Sequence, residues 1–145
     1  MKRFLFILFA LLASISIRAQ EGLNIQYQPG MSGYSPKIKV EVKGKKLKAY
    51  KLSKYLSVTY DASPAITEFF EKAVRKDCKN AYDKEIGYLA NHIAYAFLCL
   101  KPSESGEQQY VFYRNSSLTN KAKKEVTYVY MVGNVSMDEL KRIFR

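Results

Sequence analysis

Residues His92–Leu100 read HIAYAFLCL, and beyond an apolar N-terminus no other run in the chain is apolar at nearly every position. As a strand it puts Ile93, Tyr95, Phe97 and Cys99 on one face and Ala94, Ala96, Leu98 and Leu100 on the other, so neither face tolerates water. Such a segment belongs in the middle of a sheet. The competing reading is a helix, because Ile86, Leu89, Ala90, Ile93, Phe97 and Leu100 also fall on one helical stripe. Gly87 would weaken that helix, and an obvious hairpin partner follows at Gln108–Arg114, so the strand is the preferred reading.

The N-terminus explains the other apolar run. Lys2 and Arg3 precede FLFILFALLA, and a short polar stretch ends in Ile17, Arg18 and Ala19, the arrangement of a secretory signal (1–19) cleaved before Gln20. An uncleaved anchor is the alternative, Ile17 being an indifferent residue three positions before the cut. The run is shorter than the roughly 20 apolar residues of a spanning helix, so no stable membrane span is expected after cleavage. No cysteine lies near the cut to carry a lipid. The expected compartment is periplasmic or secreted. Removing 19 residues from 145 leaves 126, enough for one domain burying roughly two-thirds of its unfolded surface. Without Lys2, Arg3 and Arg18, the 24 basic residues become 21 against 13 acidic ones, a net of +8, and 17 of those 21 are lysine. Cys78 and Cys99 are the only cysteines, and in an oxidising compartment they are a candidate disulfide; two buried free thiols are the alternative.

Residues 20–36 hold Pro29, Gly30, Gly33 and Pro36 without periodicity and read as an irregular arm; a single α+β domain is expected over 37–145. Lys37–Lys43 alternates, with Ile38, Val40 and Val42 inward and Lys37, Lys39, Glu41 and Lys43 outward. Leu47–Tyr60 is expected to form one or two further strands, with Leu56, Val58 and Tyr60 in phase. Ser63 and Pro64 open a helix whose stripe is Ile66, Phe69, Phe70, Ala73, Val74, Cys78 and Ala81; Glu68, Glu71, Lys72, Arg75 and Lys76 cover its other side. Asn80–Glu85 is polar and ends that helix. PSESGE turns the chain into the Gln108–Arg114 strand, and Asn115–Lys124 is a basic loop. Glu125–Val132 is a further strand of the meander. Ser136–Glu139, SMDE, is a capping box opening a short final helix whose buried side is Met137, Leu140, Ile143 and Phe144. The expected architecture is an antiparallel sheet of about five or six strands with one long and one short C-terminal helix packed on it.

The succession of an apolar leader, EGLNI, GKKLKAYKL, an SP-led helix, GYLANHIAYAFLCL, YVFYRN, EVTYVYMVGN and SMDELKRIF resembles small secreted domains of unknown function from Gram-negative gut anaerobes. The resemblance implies a compartment and a sheet-plus-helix fold. It implies no activity and assigns no catalytic residue.

His92 is the only histidine, so any histidine-based triad or dyad has to use it, and no nucleophile motif surrounds it. One His and two separate Cys fall short of a zinc site. Calcium loops, phosphate-cradling glycine loops and dinucleotide fingerprints are missing, so no metal and no cofactor is expected. Asp77, Asp83 and Glu85 are the one carboxylate group capable of acid and base work without a motif, and they support an alternative reading as a small envelope hydrolase. Helix termination and solvation explain the same residues.

The feature with functional content is a lysine block: Lys37, Lys39, Lys43, Lys45, Lys46, Lys48, Lys51 and Lys54, opposed within that span by Glu41 alone. Such a surface attracts polyanions at low salt and releases them as salt rises. Lysine also keeps an edge strand from aggregating and a secreted domain soluble. Scarce arginine argues against specific nucleic-acid recognition. Tyr95, Tyr110, Tyr113, Tyr128 and Tyr130 fall in the meander, either as cross-strand pairs with wet hydroxyls or as an exposed stacking surface. The sequence therefore points to a non-enzymatic binding or interaction domain, its partner an anionic polysaccharide or another envelope protein, with Lys37, Lys39, Lys43, Lys45, Lys46 and Lys48 as the binding residues.

Overall fold

A computed structural model describes residues 35–102 and 104–144, without the side chain at 144. The expected leader and all but the last two residues of the expected arm lie outside that range. Strands β1 (Ile38–Lys43), β2 (Leu52–Asp61), β3 (Asp83–Leu89), β4 (His92–Leu100), β5 (Gln108–Asn115) and β6 (Glu125–Gly133) form one antiparallel sheet in the order β1-β2-β6-β5-β4-β3. Helices α1 (Pro64–Asn80) and α2 (Met137–Phe144) complete the expected α+β fold.

The order explains α1. β3 to β6 form a meander and β2 pairs with its last strand, so the link from β2 to β3 must cross the whole meander. Four strand spacings are about 19 Å, and 17 residues of helix are about 25 Å, enough for a diagonal path. The Ser63 hydroxyl accepts from the Ile66 N–H at 3.2 Å at one end, and Pro64 needs no partner there. The expected stripe is the buried one: Ile66, Phe70, Ala73, Val74 and Cys78 join Leu56, Val58, Tyr60, Val111, Tyr113 and Tyr128 in a core between α1 and the sheet.

The opposite face carries a second core. Leu47, Leu52, Tyr55, Phe97, Tyr110, Phe112, Met131 and Leu140 pack there beneath α2 and a 3-10 helix at Lys45–Tyr50. α2 is capped by Ser136, whose hydroxyl accepts from the Glu139 N–H at 3.2 Å. The 3-10 helix replaces the start of the strand expected from Leu47. Gly44 at φ 89° and Lys51 at φ 58° turn the chain on either side of it, and the turn drives Leu47 to complete burial.

Three further expectations are corrected. β4 is interior but second from an edge, and β6 and β5 are the middle pair. Its strict alternation fails at Ala94, where a bulge sets Gly87 opposite Tyr95 but Tyr88 opposite Ile93. Ile93 therefore joins Ala96, Leu98 and Leu100 under α1, while Phe97 and Cys99 face α2. Asn80–Glu85 is not only a helix end: Asp83 begins β3, an edge strand wet enough on both sides to leave no alternation, which turns into β4 through Ala90 and Asn91 at φ 50° and 65°.

Cys78 and Cys99 are both free and buried, Cys78 in the α1 core and Cys99 in the α2 core. The sheet separates them, which removes the candidate disulfide. The meander tyrosines Tyr110, Tyr113, Tyr128 and Tyr130 are core residues at 0–2% exposure, neither a stacking surface nor wet. Tyr110 donates to the Val135 carbonyl and Tyr130 to Gln109 Oε1.

Candidate functional site

The lysine block divides by pairing. Just before β1, the Lys37 ammonium lies 2.8 Å from Glu125 and 3.3 Å from Asp61, whose hydrogen bonds raise its pKa. Lys43 lies 3.3 Å from Glu41. Glu41 does not face open solvent as expected, being 6% exposed on the α1 side of the edge strand. Lys39 is half-buried, and that burial lowers its pKa. Lys51 lies 3.2 Å from Glu139. Lys45, Lys46 and Lys48 are exposed on the 3-10 helix, and among the described residues none has a carboxylate within ion-pair distance. Residues three apart on such a helix lie on one side, so Lys45 and Lys48 stand together with Lys46 beside them and buried Leu47 as their root.

The three carboxylates of the hydrolase reading do not meet. Asp77 is buried among the α1 core positions, whereas Asp83 pairs with Cys99 in register and faces the α2 side. Glu85 is held at 2.7 Å by Lys141 of α2. Sheet and helix thus stand between Asp77 and the other two.

A constellation without sequence signature forms where α1 leaves the ends of β4 and β5 uncovered. A groove of about 720 Å³ opens there, walled by the first half of α1, the β3–β4 turn and the loop after β5. Glu71, expected on the wet side of α1, is 7% exposed at its base. Its Oε2 lies 2.7 Å from His92 Nδ1, and its Oε1 accepts from the Ile93 N–H at 3.1 Å and the Arg75 guanidinium at 3.3 Å. Arg75 also donates to the Asn91 carbonyl and lies over the Tyr88 ring, so the turn carrying His92 is clamped from both sides. A carboxylate on Nδ1 fixes the imidazole with its other nitrogen directed away from Glu71. Across the groove Asn115 is 1% exposed; its Oδ1 accepts from the N–H and hydroxyl of Ser117, and its Nδ2 has no hydrogen-bond partner among the described residues. His92 was visible in the sequence as the lone histidine. Its partner was not, because an apolar stripe cannot distinguish a solvated glutamate from one buried on a backbone amide.

Among the described residues no helix is long and apolar enough to cross a membrane, and no group of His, Cys, Asp and Glu is placed to hold a metal. Residues 12–144 match a family of unknown function, DUF6108. No curated protein and no solved structure matches the chain.

Proposed function

We propose that this chain, which belongs to the DUF6108 family of unknown function, is a non-enzymatic, periplasmic or secreted domain that binds anionic polymer at Lys45, Lys46 and Lys48. The observation that supports the reading is the division of the lysine block: its other described members touch acidic residues or are partly buried, while these three stand exposed on one short helix without a counter-charge. Unneutralised lysines on a fixed support are what counterion-releasing polyanion binding requires. Lys37, Lys39 and Lys43 then hold and shield the β1 edge, with a secondary share in binding.

Retention on an anionic polysaccharide column across a salt series tests this. The Lys45→Ser/Lys46→Ser/Lys48→Ser variant is expected to elute at clearly lower salt than the wild type. The Lys37→Ser/Lys51→Ser variant, which loses paired lysines, is expected to elute close to it. Equal shifts for both variants would reduce the block to a contribution to solubility.

A further inference from the structure

We propose that the outer face of α1 is a second polyanion-binding surface, so that one molecule bridges two chains of anionic polysaccharide. This rests on the polymer-binding reading and adds a second site to it. Residues 68–85 hold five basic and five acidic side chains, without net charge in sequence. Folding separates them. Lys72, Lys76 and Lys79 follow one another at spacings of four and three along the exposed side of α1, and among the described residues none has a carboxylate within ion-pair distance. Lys84 extends the row: it stands opposite Leu98 on the α1 side and donates to the Cys78 carbonyl at 3.2 Å, a contact that holds the ammonium without cancelling its charge. The acids go elsewhere. Glu71 and Asp77 are 7% and 1% exposed, while Asp83 and Glu85 belong to the α2 side, Glu85 against Lys141. Glu68, a turn before Lys72, is the one exposed carboxylate of the helix. The row is therefore a fixed line of like charges, which a linear polyanion neutralises with release of its counterions.

This surface is separate from the one at Lys45, Lys46 and Lys48. The 3-10 helix follows β1 and packs on the α2 core, whereas α1 covers the other face of the sheet and leads into β3. β1 and β3 are the two edges, five strand spacings or about 24 Å apart. A polymer lying on one surface leaves the other turned away from it, open to a second chain.

A capture assay tests the bridge: protein bound at low salt to a surface coated with dextran sulfate is offered fluorescent dextran sulfate from solution. The wild type is expected to retain labelled polymer and to release it as salt rises. The Lys72→Gln/Lys76→Gln/Lys79→Gln variant keeps good helix formers at exposed positions. It and the Lys45→Ser/Lys46→Ser/Lys48→Ser variant are each expected to stay on the coated surface through the patch that remains, and to capture at least about tenfold less labelled polymer per bound molecule. Capture at the wild-type level by the α1 variant would overturn the proposal, and a dimer bridging through one surface per copy would give that result. The two readings fail separately. A wild type that never binds the coated surface ends the polymer-binding reading and this proposal with it, whereas binding without capture, the result of one chain wrapping both surfaces, overturns this proposal alone.

Discussion

Glu71 accepts the backbone N–H of Ile93 at 3.1 Å through one carboxylate oxygen and meets the His92 ring at 2.7 Å through the other. One helical side chain therefore anchors both the side chain and the main chain at the start of β4, just where the bulge resets that strand's phase. Removing it leaves a buried N–H without its acceptor and frees Arg75 and His92 together.

Glu71→Ala is expected to destabilise the fold by about 2–4 kcal/mol, and Glu71→Gln, which keeps an acceptor for Ile93, by clearly less. Urea unfolding of the two variants checks this. Equal losses would mean that charge, and not the hydrogen bond to the strand, holds the junction.

Gly87 lies directly beneath the Tyr95 ring, where an added Cβ would collide with three ring carbons. Gly87→Ala is expected to cost about 1–3 kcal/mol, and most of that penalty is expected to vanish in a Tyr95→Ala background. A double-mutant cycle on thermal unfolding measures the coupling. Additive losses would place the cost in the backbone.

Leu47 is fully buried and roots the helix that carries Lys45, Lys46 and Lys48. Leu47→Ala is expected to lose about 2–4 kcal/mol and also to lower the salt needed for elution from anionic polysaccharide, with no change in charge. The column and a denaturant curve read the two effects. Unchanged elution would mean that binding needs the charges but not their fixed support.

Burial pushes both thiols up, and Cys78 and Cys99 lie on opposite sides of the sheet. Native protein is expected to react slowly with a thiol reagent and to titrate two thiols once unfolded. Identical mobility with and without reductant is the companion result, and a shift on reduction would contradict the fold.

Tyr82 is raised to about 12 through its hydrogen bond with Cys99, and Tyr110 to about 12 through burial. Both keep their protons in the folded chain beyond the ordinary tyrosine value of about 10. The folded state then binds more protons than the unfolded one over that interval, so their contribution to stability is complete below about pH 10 and is lost as pH rises towards 12. Tyrosinate absorbance is expected to rise together with loss of circular dichroism. Ionisation of Tyr110, which is 2% exposed, well before unfolding would place its hydroxyl in water.

Strand and helix boundaries were legible where burial is largely one-sided or total: Lys37–Lys43, the Ser63 helix and His92–Leu100 each carry enough of their period to be placed, although Ile38, expected inward, is 39% exposed, Glu41 and Glu71, expected outward, are buried, and the alternation of β4 breaks at Ala94. β3 was not legible, because Asp83 and Lys84 are both exposed and, unlike the other edge strand β1, it carries no alternation. The bulge at Ala94 was equally hidden, since Ala94 and Ala96 look alike in sequence and only pairing separates them. For the sites, lysine density was visible, but which lysines would be neutralised depended on Asp61, Glu125 and Glu139 arriving from distant strands and a helix. The groove depended wholly on such long-range arrivals.

The pairing of β2 with β6 also governs the order in which the chain can become a protein. Ser53 bonds to the carbonyl of Val132, 79 positions later, and every residue of β2 from Lys54 onward faces one in β6. During synthesis the β1–β2 hairpin and α1 emerge with their inner edge and apolar stripe open, and they must wait for the final strand before the sheet can close. Folding is therefore expected to be late and all-or-none, leaving the inner edge of β2 open to chaperones until β6 appears.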